Sequence, residues 1–467
     1  MDAITADDML MFINAAITST AQREFHGGAD DQRLSLDFLH DYMIGNYRDL
    51  YAAALALDIN DHNAALIVRK LLETTGDATA AQRRVEGELI ARRLRALPPQ
   101  RVYDLFRALR RARVNNRRTR AIIRDWVVGR PDPAFDAVKY RTGLKRALRH
   151  AHVAPDGELG TFLFASGNHR RYDTPILETW RKAHYEHSSV YELPYTVAEG
   201  FAAKHRIDRA TFLKRIAPRM TRLERLRVQE SARRGNAAVA VDLGSMPLTR
   251  LASYVLALPV PERVERRAEL TGALRAAAVR AAGRDAGAWG RVAAVLDDSF
   301  SAFGSAQKRR RPLAVALACH YLLAELAAEY VPLWTSGRTD ALLAYPYGMT
   351  PLGERVLDAL DQAPDRLLIV SDGWDNAPYG LASEVLRVWR ARLDPERRVG
   401  AVHLNPVYDA ADFDAKRLSP AVPTVGVRDA EDVPALVEFA RFTEGTTGFA
   451  ELQAHFDDRV ARFLEER

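Results

Sequence analysis

The sequence predicts a mainly helical chain that ends in an α/β unit, on three observations. Residues 1–285 repeat apolar side chains at three- and four-residue spacing almost throughout. Near residue 290 short apolar runs begin to alternate with helical stretches, the order expected of a parallel, doubly wound sheet. Polar turns follow two of those runs, after Leu296 and Val370, where such a sheet presents its carboxyl edge to ligands.

In the first part, DFLHDYMIGNYRDLYAAALAL, HNAALIVRKLLETT, AQRRVEGELIARRLRAL, RVYDLFRALRRARV and RTRAIIRDWVV each read as a helix. Asp58–Asn60, Gly76–Asp77, Pro98–Pro99 and Pro131–Pro133 punctuate them. So many amphipathic helices cannot bury their apolar faces in one bundle, so irregular HEAT-like pairs in a solenoid are expected. In the second part Arg291–Leu296 (RVAAVL) reads as a strand and RPLAVALACHYLLAELAAEY as a long helix. DRLLIVSDGWD is a strand running into a polar turn, GLASEVLRVWRARL a helix, RRVGAVHLNPV and TVGV strands, and VPALVEFARF a helix.

At 467 residues, with 48% hydrophobic and 27% charged residues, the composition is that of a globular chain. One cysteine, Cys319, excludes a disulfide framework and thiolate metal clusters; it falls mid-helix among apolar residues, as a core side chain does. The N-terminus lacks a basic leader pattern and no run of about eighteen apolar residues occurs, so a soluble, cytoplasmic protein without membrane partners is expected. The net charge of +6 is unevenly distributed. Residues 1–290 hold 47 Lys and Arg against 34 Asp and Glu, and residues 291–467 hold 20 against 27. A basic first part suits a polyanion, although Arg outnumbers Lys 59 to 8, a bias that weakens any reading from arginine number alone.

The sharpest local signal is Asp297-Asp298-Ser299-Phe300-Ser301, directly after the first strand. Alternate residues place Asp297, Ser299 and Ser301 on one side of the turn. Thr350, in Gly-Met-Thr-Pro-Leu, and Asp372, in Ser-Asp-Gly after LLIVS, supply two further oxygens. Five oxygen donors without nitrogen or sulfur describe a hard-cation site for Mg²⁺ or Mn²⁺. The Asp-x-Ser-x-Ser turn alone also describes a capped loop; the other two segments, in that order, favour the metal. The three segments resemble the metal-ion-dependent adhesion site of von Willebrand factor A domains, over roughly 290–467. In that family all five positions would be ligands, some through water. Only a reduced hairpin (VPLWTSGRTD) fits before Thr350, so short or missing second and third strands are expected.

The helical part carries a second resemblance. Ala137-Val138-Lys139-Tyr140-Arg141, then Leu148-Arg149-His150-Ala151-His152-Val153-Ala154-Pro155, resembles the Lys-Tyr-Lys-x-Arg and Leu-Arg-x-x-His-x-x-Pro stretch of the Ro ribonucleoprotein family (TROVE domain). Met246-Pro247-Leu248-Thr249 followed by Leu251 resembles that family's Met-Pro-Leu-Thr-x-Leu segment. The resemblance implies a HEAT-like helical-repeat ring over 1–288 followed by a von Willebrand A-like domain over 289–467. It further implies binding of single-stranded ends of noncoding RNAs in the ring and of small structured Y-like RNAs on its outer basic surface. The role implied is in RNA stability or quality control, with an RNA-processing nuclease as a further partner. Lys139 and His152 match positions associated with RNA contact. Arg141 is the nearest match for a third, across a shorter intervening segment.

Lys and Arg neutralise phosphates and His stacks on bases or donates to phosphates, so the chemistry suits RNA; a structural role for His152 is the alternative. Arg113, Arg117, Arg120 and Arg124 read as one helical face, with Phe106 and Trp126 as stacking surfaces; the alternative is a solvated charged face. A further cluster is Lys214, Arg215, Arg219, Arg222, Arg225 and Arg227, broken by Glu224. Lys308–Arg311 is either a helix-start surface or a contact to the acidic N-terminal segment, whose first 50 residues hold 9 acids against 3 bases. No phosphate-binding loop, nucleophile elbow or His-Glu-x-x-His occurs, so catalysis is not expected. His184 and His187, three apart on one helix face, find no third ligand in sequence. A metal-dependent protein-binding adaptor on a helical scaffold, partnered with an ATPase, is the competing reading.

Overall fold

In a computed structural model of the chain, residues 2–165, 171–221, 224–225, 228, 243–443 and 449–465 are described. They are mainly helical, with a five-stranded parallel sheet. Compact packing divides the chain into two units: residues 1–64 together with 242–467, and residues 65–241. This grouping differs from the 1–288 and 289–467 division read from the sequence.

In the first unit, strands β1 (Arg291–Leu296), β2 (Glu329–Trp334), β3 (Arg366–Val370), β4 (Gly400–Asn405) and β7 (Thr424–Gly426) form the sheet in the order β2-β1-β3-β4-β7, all parallel. A small antiparallel pair, β5 (Tyr408–Asp409) and β6 (Asp414–Ala415), lies between β4 and β7 in sequence. Continuous apolar runs make these strands, because a parallel sheet is covered on both faces. On one face Ala293 and Val295 of β1, Leu367 and Ile369 of β3 and Ala401 of β4 pack with helices Leu352–Leu360 and Leu381–Arg392 through Val356, Leu386 and Trp389. Against the other face lies the helix Arg311–Leu326, apolar nearly all round. Helices Leu248–Ala257 and Arg267–Ala282 cover its outer side.

The N-terminal helix α1 (Asp2–Thr18) packs on β6 and β7. Asn14 Nδ2 donates to the Thr424 carbonyl at 3.4 Å, and Gly426 N donates to Asn14 Oδ1 at 2.9 Å. A Cβ at Gly426 would stand 2.9 Å from the Asn14 carbonyl oxygen, so glycine permits this approach. These contacts join the N-terminal helix to the sheet, and they depend on partners hundreds of residues apart. Periodicity along the chain cannot register them.

The long helix expected over 311–330 stops at Leu326, and Glu329–Trp334 is β2. The reduced hairpin expected there is one parallel strand that pairs with β1 through six residues. The helix expected over 37–57 breaks at Tyr47 (φ −136°), dividing α2 (Ala29–Asn46) from Arg48–Ala53.

The second unit is helical. Arg117–Val128 and Pro99–Arg111 both pack on Arg141–Ala151. Some of its helix starts carry side-chain caps. Thr79 and Gln82 form a reciprocal capping box, Asn116 accepts from Thr119 N, and Asp132 accepts from Phe135 N. Among the described residues no helix is long and apolar enough to cross a membrane.

Candidate functional site

β1 and β3 are adjacent in the sheet, and chain order reverses direction between them. Asp297 and Asp372 leave their carboxyl ends at that switch point. Backbone bonds stitch the three predicted segments together there. Asp297 N donates to the Val370 carbonyl at 3.0 Å, Phe300 N to Gly348 at 3.0 Å and Tyr347 N to Asp298 at 2.9 Å. Thr350 N donates to Asn376 Oδ1 at 2.8 Å, and Asn376 N returns a bond to the Thr350 carbonyl at 3.3 Å. Asp297, Ser299, Ser301, Thr350 and Asp372 are all buried.

Ser299 N donates to Asp297 Oδ1 at 2.9 Å, and the Ser299 and Ser301 hydroxyls stand 3.3 Å apart. Asp298 points elsewhere. It accepts from Thr335 Oγ1 at 3.0 Å, Ser336 N at 3.0 Å and Ser336 Oγ at 2.7 Å, and so ties the turn to the end of β2. Gly373, at φ +80°, takes the chain past Lys416, whose carbonyl oxygen a Cβ would approach to 2.7 Å. Asp372 therefore needs glycine after it.

Burial, and then the facing Asp372 carboxylate, push the Asp297 carboxyl well above the ordinary carboxylate range. Two desolvated carboxyls, with the Ser299 and Ser301 hydroxyls in the same turn, are hard oxygen donors of the kind that would suit a divalent cation. Among the described residues no three side chains drawn from His, Cys, Asp and Glu group as a metal site. One nitrogen arrives that no sequence pattern indicated: His26 Nε2 lies 3.6 Å from Asp372 Oδ2.

Neither the known protein families nor the curated proteins contain a match to this chain. Its function has to be read from its own residues.

The predicted RNA-contact residues all lie in the second unit. His152 is exposed at the C-cap of Arg141–Ala151, in left-handed conformation (φ 56°), while its neighbour His150 is buried with Nε2 3.0 Å from the Val114 carbonyl oxygen. Lys139 is mostly buried and pairs with Glu224 at 3.4 Å. Arg141 is half-buried; its guanidinium lies over the Phe162 and Trp180 rings at 4.7 and 4.5 Å and donates to the Phe162 carbonyl at 2.7 Å.

Arg117 and Arg124 are exposed and Arg120 half-buried on one helix, with Arg124 donating to Asp125. Arg113 is also exposed but is not on that helix: it sits at φ 58° in the turn before it, so the expected four-residue helical face is a three-residue one. Phe106 and Trp126 are buried against each other at 5.4 Å and offer no stacking surface. Phe164 does. It is exposed, and Lys145 and Arg149, from the helix that His152 caps, lie over its ring at 5.4 and 5.3 Å. The sequence analysis missed this group because Phe164 ends a different helix, Gly157–Phe164.

His184 and His187 do not share a helix, since the chain turns between Pro175–Lys182 and His187–Val190. In the second basic cluster Arg222 and Arg227 lie outside the described residues. Of Lys308–Arg311, Lys308 ion-pairs with Glu24, as expected for the acidic segment. Arg310 instead donates to the Leu256 carbonyl at 2.6 Å, and Arg311 pairs with Asp429 at 3.1 Å.

Proposed function

We propose that this chain is a Ro-like RNA-binding protein of the cytoplasm, without catalysis of its own, that acts in noncoding-RNA stability or quality control. On this reading the sheet and its covering helices form a von Willebrand A-like module, and the helical remainder a HEAT-like scaffold. The observation that carries it is the meeting of the Asp-x-Ser-x-Ser, Thr-Pro and Asp-Gly segments at the carboxyl edge of adjacent parallel strands. Asp297, Ser299, Ser301, Thr350 and Asp372 would hold Mg²⁺ or Mn²⁺, and the cation would offer an outside carboxylate or phosphate oxygen a point of attachment. Exposed Arg113, Arg117, Arg124 and His152, with the Lys145–Arg149–Phe164 group, are the side chains best placed for phosphate and base contact with single-stranded or Y-like RNA.

The clean test uses the exposed cations, because Lys139 and Arg141 already hold protein partners and their removal also loosens the unit. An Arg113→Ala/Arg117→Ala/Arg124→Ala variant is expected to bind single-stranded RNA more weakly, its salt dependence falling by roughly one per lost phosphate contact. Its melting temperature should be unchanged. RNA affinity equal to wild type would place the contact on another surface.

The adaptor reading has its own support. Phe300, Tyr347, Met349 and Tyr379, on the loops that build the candidate metal site, are 62 to 83% exposed. A rim of exposed apolar side chains beside a cation suits a protein ligand bearing a carboxylate. Nuclease-sensitive nucleic acid co-purifying with the chain separates the two readings, since the adaptor predicts none.

A further inference from the structure

We propose that the cleft between helix α2 and the β5–β6 pair is a docking site for a short basic protein segment, whose apolar side chains enter the cleft while arginine or lysine side chains flank them. The inference goes beyond the RNA reading and does not depend on it. The residues it uses are neither the candidate cation ligands nor part of the second unit.

The first support is shape. The cleft holds about 500 Å³ and is lined by Leu34 and Phe38 of α2 and by Ala410, Ala411 and Phe413 between β5 and β6. Phe38 meets Phe413 at 5.4 Å between ring centroids, yet Phe38 and Leu34 remain 59% and 63% exposed. Two large apolar side chains left open beside a cleft and rimmed by polar groups mark a contact surface. Leu34 and Phe38 stand one helical turn apart, and Asp30, Asp37 and Asp41 share their face of α2. That stripe runs about 16 Å at 1.5 Å per residue, the length of about five residues of extended chain. A peptide matches it better than a compact small molecule does.

The second support is charge. Asp30, Asp31, Asp37 and Asp41 lie on α2, and Asp409 and Asp412 face it from the β5–β6 pair, in a chain whose net charge is +6. Arg33 is held by Asp30 at 3.1 Å. Lys416, the only Lys or Arg that lines the cleft among the described residues, is held by Asp412 at 3.8 Å and lies over the Trp374 ring at 4.3 Å. Asp31, Asp37 and Asp409 have no ion-pair partner among the described residues. Such a rim repels phosphate and attracts a cationic segment.

The third support is an unmet acceptor. Gln32, 1% exposed, lines the cleft and donates from Nε2 to the Tyr408 carbonyl at 3.1 Å. Its Oε1 is buried without a hydrogen-bond partner. An orphan of this kind calls for a donor, and the N–H groups of a basic segment supply one.

The test is fluorescence anisotropy of the nuclease-treated full chain with a labelled hexapeptide of alternating arginine and leucine. Wild type is expected to bind it with an affinity that falls as salt rises. The counterpart peptide with glutamate for arginine should bind at least about tenfold more weakly, a comparison that needs no variant to fold. Leu34→Ser/Phe38→Ser, at exposed positions, should lose at least about tenfold in affinity with an unchanged melting temperature. Asp31→Asn/Asp409→Asn should lose roughly fivefold at low salt and little at high salt, the asparagine keeping the acceptor that Asp409 offers to Ala411 N. No binding by wild type, equal affinity for the two peptides, or unchanged binding in Leu34→Ser/Phe38→Ser overturns the proposal. So does weakened single-stranded RNA binding in that variant, which would place RNA in the cleft, or a wild-type dimer that the variant dissociates, which would make a second copy of the chain the occupant.

Discussion

His403 lies in the middle of β4 with no exposed surface. Its ring nitrogens meet the Thr424 hydroxyl at 3.0 Å and the Ser371 hydroxyl at 3.1 Å, so the neutral ring is satisfied. Burial pulls its pKa down to about 4 from an ordinary 6.5. Above pH 6.5 neither state holds the proton. Between 6.5 and 4 the unfolded chain takes it and the folded chain refuses, so stability falls as pH falls through that window. From pH 7 to pH 5 the loss is about 2 kcal/mol at this site. His403→Gln keeps a donor and an acceptor but cannot titrate, so its unfolding free energy should fall by about 2 kcal/mol less than wild type over that interval. Urea denaturation at the two pH values measures this, and parallel losses in both proteins would refute it. At the same scale, spacing alone assigned Asp297 to the site. The opposite roles of Asp298 and of His150 and His152 needed neighbours, because a residue one position away faces another partner.

At the scale of elements, the segment between α1 and α2 illustrates how a loop is held by one buried pair. The side chains of Glu24 and Lys308 are 4% and 12% exposed. Burial raises the Glu24 carboxyl above its ordinary value even though Lys308 opposes it. The pair therefore forms, yet desolvation outweighs its attraction. Removing one partner strands a buried charge and should cost about 3–5 kcal/mol, whereas replacing both with apolar residues of similar size should be near neutral. Glu24→Met and Lys308→Met singly, against the double variant, test this by denaturation. Single losses below about 1 kcal/mol would show that the pair is solvated and holds nothing. Most elements of the sheet were legible from the chain, since parallel strands are short apolar runs between turn residues. The β2 strand was not, because Glu329 and Tyr330 continue the apolar spacing of the helix before them and only pairing with β1 separates the two.

For the whole molecule, the first unit's composition sets a limit on what folds alone. A fragment of residues 289–467 lacks helices Leu248–Ala257 and Arg267–Ala282, which cover Arg311–Leu326, and lacks α1, which covers β6 and β7. Leu248, Leu251, Val255, Leu270 and Leu274 are all essentially buried in the unit, so their loss exposes the apolar surface they face. At about 25 cal/mol per Å² of apolar surface, a few hundred Å² amounts to several kcal/mol, comparable to the stability of a domain. The fragment is expected to bind a hydrophobic dye and to melt well below the full chain. A monomeric fragment with the full chain's melting temperature and no dye binding would contradict the packing.

By itself the sequence determined the mainly helical class, the parallel α/β part and the core position of Cys319, and it nominated the five oxygen-bearing residues of the candidate centre. The first three are encoded locally, in apolar period and side-chain order. Tertiary structure alone decided that residues 1–64 and 242–282 belong with the sheet, that Arg141 is packed between rings, that Phe164 gathers Lys145 and Arg149, and that His26 stands beside Asp372. Each of these joins residues from different elements, the last 346 positions apart. Such a meeting depends on which apolar faces bury each other, a property of the packed chain that no window of sequence contains.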